Sequence, residues 1–232
     1  MRTSPATISC IIPFFNEGDR LLRVLDVVTH VQGIKQIVCI DDGSEDPALS
    51  RTIRQRWPKI ELIRREQNEG KAAAIREALA QVDSDFVLLM DADLQHVDQS
   101  ELSRIVANVR KGVDADMLIL RRLHAEWFVK MSRADVLLSG ERILRRTDLE
   151  AVLAQPIKGF ELEVAINDYM QRHQKRVCWV PWSATNTYKI AKRGPVEGFV
   201  ADAAMYANIV GHVGVASVVR QYRSFARQPL WG

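Results

Sequence analysis

The 232 residues predict an α/β protein, Rossmann-like, with a mainly parallel sheet and helices on both of its faces. Short apolar runs alternate with amphipathic repeats through the first half of the chain. The spacing leaves room for one crossover helix between successive runs, which makes each unit a right-handed βαβ turn. Three of the runs end abruptly in polar residues, at Pro13 to Glu17, Asp41 to Ser44 and Asp91 to Gln95. Ligands of such sheets bind outside the carboxyl ends of the strands, so these three stretches are expected to meet in one crevice.

The elements follow in order. Residues 8–13 form a buried strand closed by Pro13, which cannot continue a central ladder. Leu and Val then recur at helical spacing over 20–31, and 35–40 is a second strand. Asp46-Pro47 reads as an N-cap with proline at the first helical position. Residues 60–64 make a short strand, Asn68-Glu69-Gly70 leads into an alanine-rich helix over 71–82, and 86–90 is a fully apolar strand. Asp98 with Glu101 three residues on is a capping box for a helix to about residue 111. Beyond it the pattern predicts strands at 116–120 and 176–181, a helix starting near Asp148 and another running from Glu161 to about 173. The apolar positions Phe199, Ala203, Tyr206, Ile209, Val210 and Val213 share a helical face, so 195–232 is expected to be an amphipathic tail on a domain spanning 1–194. That tail packs on the domain, or on a membrane or a second subunit.

Composition narrows the function classes. A 47% hydrophobic chain of this length buries a full core. Lys+Arg 32 against Asp+Glu 29 leaves a net charge of only +3, which gives no case for nucleic acid. Basic residues do crowd 121–146, where Arg121, Arg122, Lys130, Arg133, Arg142, Arg145 and Arg146 would attract an anionic substrate or lipid surface. Cys10, Cys39 and Cys178 are widely spaced in apolar runs and read as reduced core residues, so a cytoplasmic protein is expected. Neither a signal peptide nor an apolar run of spanning length is found, and any membrane contact is expected to be peripheral and reversible.

The chemistry centres on Asp91-Ala92-Asp93-Leu94-Gln95. In extended chain alternate side chains share a face about 6–7 Å apart, so Asp91, Asp93 and Gln95 are expected to present oxygens together. Such ligands suit Mg²⁺ or Mn²⁺, which keeps positions open for substrate phosphates. Neither the Gly-x-Gly-x-x-Gly fingerprint nor a P-loop is present.

In this order, Ile12-Pro13-Phe14-Phe15-Asn16-Glu17, Asp41-Asp42-Gly43-Ser44, Asn68-Glu69-Gly70-Lys71, Met90-Asp91-Ala92-Asp93-Leu94-Gln95-His96, Ser139-Gly140 and Gly159-Phe160-Glu161-Leu162-Glu163 resemble family 2 of the glycosyltransferases, which has the GT-A fold. The resemblance is strongest to the branch with dolichyl-phosphate mannose synthase and bacterial polyprenyl-phosphate sugar transferases. It implies that Pro13, Phe15, Glu17 and Asp42 surround the donor's base and ribose, with Lys71 nearby. It also implies that Asp91, Asp93 and Gln95 hold a metal bridging the diphosphate. The sequence departs in several respects: after Ser139-Gly140 the family has an aromatic and then Arg, whereas Glu141-Arg142 stands here, the segment between Asp116 and Ser139 is short, the late Arg and Ser-Lys signature is not clear, and the membrane-spanning helices common in this branch are not found. The late basic signature is expected at Lys189, Lys192 or Arg193.

These readings converge on an inverting, metal-dependent transferase taking sugar from a GDP- or UDP-sugar, with polyprenyl phosphate as the acceptor. Asp93 and Glu161 are the expected catalytic residues; Glu161 and Glu163 point about 200° apart on a helix and cannot both face the crevice, and Glu161, nearer the Gly159-Phe160 turn, is taken as the one at the acceptor. The alternatives are a hydroxyl acceptor, nucleotidyl transfer, or nucleotide-sugar binding without catalysis. Oligomerisation is open.

Overall fold

A computed structural model describes residues 4–123, 129–130, 133–155, 157, 161–186 and 215–230; for 161, 186 and 215–219 the backbone alone is described. The strands are β1 (Ile8–Phe14), β2 (Ile34–Asp41), β3 (Glu61–Arg64), β4 (Phe86–Leu89), β5 (Leu94–Gln95), β6 (Met117–Arg122), β7 (Arg142–Arg145), β8 (Val177–Trp182) and β9 (Thr185–Asn186). The helices are α1 (Asp19–Val28), α2 (Ala48–Arg56), α3 (Lys71–Leu79), α4 (Gln99–Gly112), α5 (Ala134–Leu137), α6 (Arg146–Leu153), α7 (Glu161–Arg172) and α8 (Val215–Ser224).

Seven strands form one sheet in the order β3-β2-β1-β4-β7-β6-β8. β1 pairs in parallel with β2 and β4, and β2 with β3, as βαβ units require. Period-two alternation along β1 divides the core between the sheet's two faces. Ile8, Cys10, Ile12 and Phe14 pack with Leu21, Leu25, Leu102 and Val106 of α1 and α4, while Ile11 packs with Ile75, Leu149 and Ile166 of α3, α6 and α7.

The sheet departs from the sequence reading at β7, which runs antiparallel between β4 and β6. Arg142-Ile-Leu-Arg145 has only two apolar residues between arginines, so nothing local marks it as a strand. Its place comes from neighbours on both sides, and Arg142 is fully buried there. The pairing of Leu89 with Arg142 sets the beginning of β7 beside the acidic end of β4.

Local capping is partly as expected. Asp98 accepts from Ser100 N at 2.7 Å and Glu101 N at 2.9 Å, fastening the start of α4. Glu101 does not close the box; its carboxylate accepts instead from Ser183 N at 3.0 Å and Ser183 Oγ at 2.6 Å, tying α4 to the segment after β8. At the far end, Gln221, Phe225 and Ala226 are buried, and the Arg133 guanidinium donates to the carbonyls of Gln221, Tyr222, Phe225 and Ala226. Trp179 N donates to Gln228 O and Leu230 N to Trp179 O, so the chain end covers the β8 edge. The expected amphipathic face at 199–213 lies outside the described residues. Among the described residues no helix is long and apolar enough to cross a membrane.

Candidate active site

The carboxyl ends of β1, β2 and β4 bring the three polar stretches to one edge, where β6 and β7 add Arg122 and Ser139-Gly140-Glu141. Two cavities, of about 310 Å³ around Thr7, Lys35 and Asp85 and about 370 Å³ between α7, β8 and α8, lie away from this edge. Neither contains any of the motif residues.

On the donor side the loops are stitched together. Asn16 N donates to Ser44 Oγ at 2.9 Å, and Asn16 Oδ1 accepts from Glu45 N at 3.1 Å. Pro13 does not close β1 as expected: it pairs with Ile40 and the strand runs on to Phe14 against Asp41, while Phe15 is 41% exposed on the loop after it and Glu17 pairs with Arg20 at 2.8 Å. Asp41 accepts from Ser44 N and Ser50 Oγ, and turns away from solvent. Asp42 brackets the loop before α3, accepting from Arg65 Nη1 at 2.5 Å, Glu69 N at 3.3 Å and Gly70 N at 2.8 Å. Gly43, at φ +80°, lets that loop approach; a Cβ there would meet the backbone of Gln67 and Asn68. Asp42 is therefore a fastening for the loop as well as the donor-side carboxylate that the sequence suggests.

At the end of β4 lies a buried charge cluster. Lys71 Nζ donates to Asp91 Oδ1 at 2.6 Å and to Glu163 Oε1 at 2.8 Å. Burial works against the ammonium charge, but Asp91 and then Glu163 outweigh it and hold the Lys71 pKa above its ordinary value. Burial would likewise raise Asp91, yet Lys71 keeps it below the usual carboxylate range. Glu141 is fully buried beneath Asp91, accepts from Ser139 Oγ at 3.0 Å, and is pushed up to about 7 by burial and by the charge of Asp91. Glu141 Oε1 finds no donor; carrying a proton, it becomes the donor to Asp91 beside it. Gly140 is pressed against the Asp91 carboxylate, which leaves no room for a Cβ. Arg142 donates to Ser139 O, Glu163 O and Asn167 Oδ1, locking the start of β7 to α7.

The metal residues need one correction. The chain is not extended through the motif: β4 stops at Leu89, Ala92 and Asp93 form a turn, and Leu94–Gln95 then pairs with Thr185–Asn186 as β5 and β9. Burial still alternates, with Ala92 and Leu94 inside and Asp91, Asp93 and Gln95 half-buried. Two carboxylates and an amide oxygen are hard donors that fit Mg²⁺ or Mn²⁺. Asp91 Oδ1 is already engaged by Lys71. Among the described residues no three His, Cys, Asp or Glu side chains gather into a metal site.

On the acceptor side, Glu161 opens α7 but its side chain lies outside the described residues, as do Lys189, Lys192 and Arg193. Among the described side chains of this motif, Glu163 reaches the cluster. Sequence reasoning passed over Glu141 and Arg122 as site residues. Arg122 is half-buried at the end of β6, and its charge acts on both Asp91 and Glu141. The one sequence signal for Glu141 was that a charged residue follows Ser-Gly where the family carries an aromatic.

The carboxyl-edge crevice, the acid-bearing turn and the mixed seven-stranded sheet define a GT-A fold. Glucosyl-3-phosphoglycerate synthase of Mycobacterium tuberculosis, solved in complex with Mn²⁺, uridine diphosphate and glucosyl-3-phosphoglycerate, superposes with a TM-score of 0.67 at 21% identity, over 90% of this chain and 81% of that one. The profile of glycosyl transferase family 2 matches residues 9–167, and the chain belongs to that family. An uncharacterized glycosyltransferase of Synechocystis is 32% identical over 134 residues, 55% of this chain and 42% of that protein. The undecaprenyl-phosphate 4-deoxy-4-formamido-L-arabinose transferase of Proteus mirabilis is 29% identical over 130 residues, 53% of this chain and 40% of that protein. The matched stretch thus spans less than half the length of these curated relatives.

Proposed function

We propose that this chain carries out inverting, metal-dependent transfer of a sugar from a nucleoside-diphosphate sugar to a polyprenyl phosphate. The observation that carries the reading is the cluster of Lys71, Asp91 and Arg122 around the carboxyl end of β4, beside Asp93. Lys71 is pinned by two carboxylates and so holds a fixed positive charge at the crevice, where charge develops on a departing diphosphate. Asp91, Asp93 and Gln95 would hold a divalent cation, which would supply further charge neutralisation there. Asp91 and Glu163 are both committed to Lys71, which suits direct displacement by the acceptor better than attack by a protein carboxylate. An anionic acceptor is supported by Arg122 and by the names of the undecaprenyl-phosphate transferases among the relatives. The basic residues of 121–146 give this reading no support as a membrane-facing patch, since Arg142 is buried, Arg133 donates to backbone carbonyls, and Arg121, Arg145 and Arg146 pair with Asp135, Asp116 and Glu150.

A hydroxyl acceptor is the second reading, and the specific observation that favours it is a second carboxylate, Glu163, at the crevice wall. The test supplies Mn²⁺, a panel of nucleoside-diphosphate sugars, and undecaprenyl phosphate in detergent, and follows nucleoside diphosphate release and the lipid product by mass spectrometry. Glycosylated lipid is the expected product, and Asp93→Ala should abolish it while leaving the circular dichroism unchanged. Transfer to sugar or small hydroxyl acceptors with none to the lipid overturns the preferred reading.

A further inference from the structure

Beside the acid cluster lies a guanidinium held by neutral oxygens. Arg142 is fully buried at the start of β7. Its Nε and Nη2 donate to Ser139 O at 2.9 and 2.5 Å, and its Nη1 donates to Asn167 Oδ1 at 3.0 Å and Glu163 O at 3.3 Å. None of these acceptors carries a charge. The carboxylates nearby are committed elsewhere, Asp91 and Glu163 to Lys71 and Glu141 to Ser139 Oγ. Burial works against the charge of Arg142, while Glu163, Glu141 and then Asp91 favour it through space. The attraction is mutual, so the same field steadies those three carboxylates.

Asn167, also fully buried, supplies the one side-chain acceptor in that set. Its orientation is fixed from the far side, where Nδ2 donates to Leu137 O at 2.9 Å and to Gln221 Oε1 of α8 at 3.3 Å. A flipped amide would set its NH2 group against the guanidinium and its oxygen against two acceptors, so only one orientation satisfies every partner. An aspartate here would accept from Arg142 equally well, but it would also pair with the charge. The amide takes the hydrogen bond alone. We propose that Asn167 is a positioning residue for sugar transfer, a neutral acceptor that orients Arg142 while leaving its positive charge to the crevice at the end of β4. The inference rests on the nucleotide-sugar transfer proposed above. It also makes α8, through Gln221, part of the support of the active site, although Gln221 lies beyond the stretch matched by the family profile.

The experiment compares Asn167→Asp with Asn167→Ala, each checked for folding by circular dichroism. Both variants lose the two donated bonds. Ala loses the acceptor for Arg142 as well, whereas Asp keeps it and adds a negative charge. A role in packing alone therefore makes Ala the more damaging change, and the proposed role makes it Asp. Binding of UDP and GDP with Mn²⁺ is measured by calorimetry, and kcat/KM is measured with UDP-glucose and GDP-mannose from nucleoside diphosphate release. On the nucleotide that wild type prefers, Asn167→Asp should fall at least about fivefold below Asn167→Ala in affinity or in kcat/KM, the order expected of one added charge in a partly screened interior. Asn167→Asp equal to or better than Asn167→Ala in both overturns the inference and leaves a nucleotide-sugar transferase standing. Wild type that binds neither nucleotide overturns the nucleotide-sugar reading, and the inference with it. Should either variant fail to fold, Gln221→Glu against Gln221→Ala makes the same comparison one residue further out, and Glu no worse than Ala overturns the inference.

Discussion

Lys71 Nζ lies 2.6 Å from Asp91 Oδ1, joining the first residue of α3 to the first carboxylate after β4 across 20 residues of sequence. Glu163 Oε1 accepts from the same ammonium at 2.8 Å, so one lysine holds together three separate stretches of the family pattern. A lysine opening a helix has every local reason to point into water. Here two carboxylates hold it in the crevice.

Removing that cation should be felt in both stability and turnover. Lys71→Met leaves Asp91 and Glu163 facing each other with Glu141 beneath. Breaking a buried pair costs about 3–5 kcal/mol, and the partial exposure of Lys71 and Asp91 reduces the expected loss to about 1–3 kcal/mol. Urea denaturation checks this value. Turnover should fall at least about a hundredfold if the ammonium faces the leaving diphosphate. Lys71→Arg should restore stability more than turnover, since a planar fork does not replace a compact ammonium between two carboxylates. Wild-type turnover in Lys71→Met would remove Lys71 from the chemistry.

Glu141 predicts a pH dependence of stability. Its pKa in the folded protein is raised from 4.5 to about 7, so the folded state holds a proton that the unfolded chain releases. The sign follows: its contribution is complete below about 4.5 and is lost as pH rises through about 7. Thermal melts between pH 5 and 8, in chelator, should show Glu141→Gln less sensitive to rising pH than wild type, because the amide mimics the protonated acid at every pH. Parallel curves for the two proteins would show that Glu141 does not titrate in this window.

Glu161→Gln separates the two acceptor classes. A phosphate monoester has its second pKa near 6 and is already an anion at neutral pH, so a general base adds little. A hydroxyl keeps its proton, and a base typically contributes about 10²- to 10⁴-fold. With polyprenyl phosphate as the true acceptor, turnover of Glu161→Gln at saturating donor should stay within about tenfold of wild type. Glu163→Gln, measured in parallel, reports the cost of loosening Lys71. A loss of a hundredfold confined to Glu161→Gln points to a hydroxyl acceptor.

Much of the crevice was legible from local pattern. The apolar runs of β1, β2 and β4 stop at Pro13, Asp41 and Asp91, and parallel pairing places such ends on one edge. The start of α4 was readable because Asp98 caps it through bonds only two and three residues away. What failed were inferences that extended a local rule across a turn or out to distant partners. Alternation was carried through Ala92-Asp93, where the chain turns, and Glu101 was assigned to a capping box when Ser183, 82 residues away, is its partner.

The sequence by itself determined the order of β1 to β4 and of the helices through α4, the family, and the acidic stretch that follows β4, because hydrophobic period, caps and strand-end residues are properties of neighbours along the chain. Tertiary structure decided that Arg142-Ile-Leu-Arg145 is an antiparallel strand inside the sheet, that Glu141 lies under Asp91, and that Glu163 and Lys71 meet. The physical reason is burial: a buried charge is tolerated only where hydrogen bonds or opposite charges compensate it. For Arg142 those partners are Ser139, Glu163 and Asn167, brought together by the packing of β7 against α7.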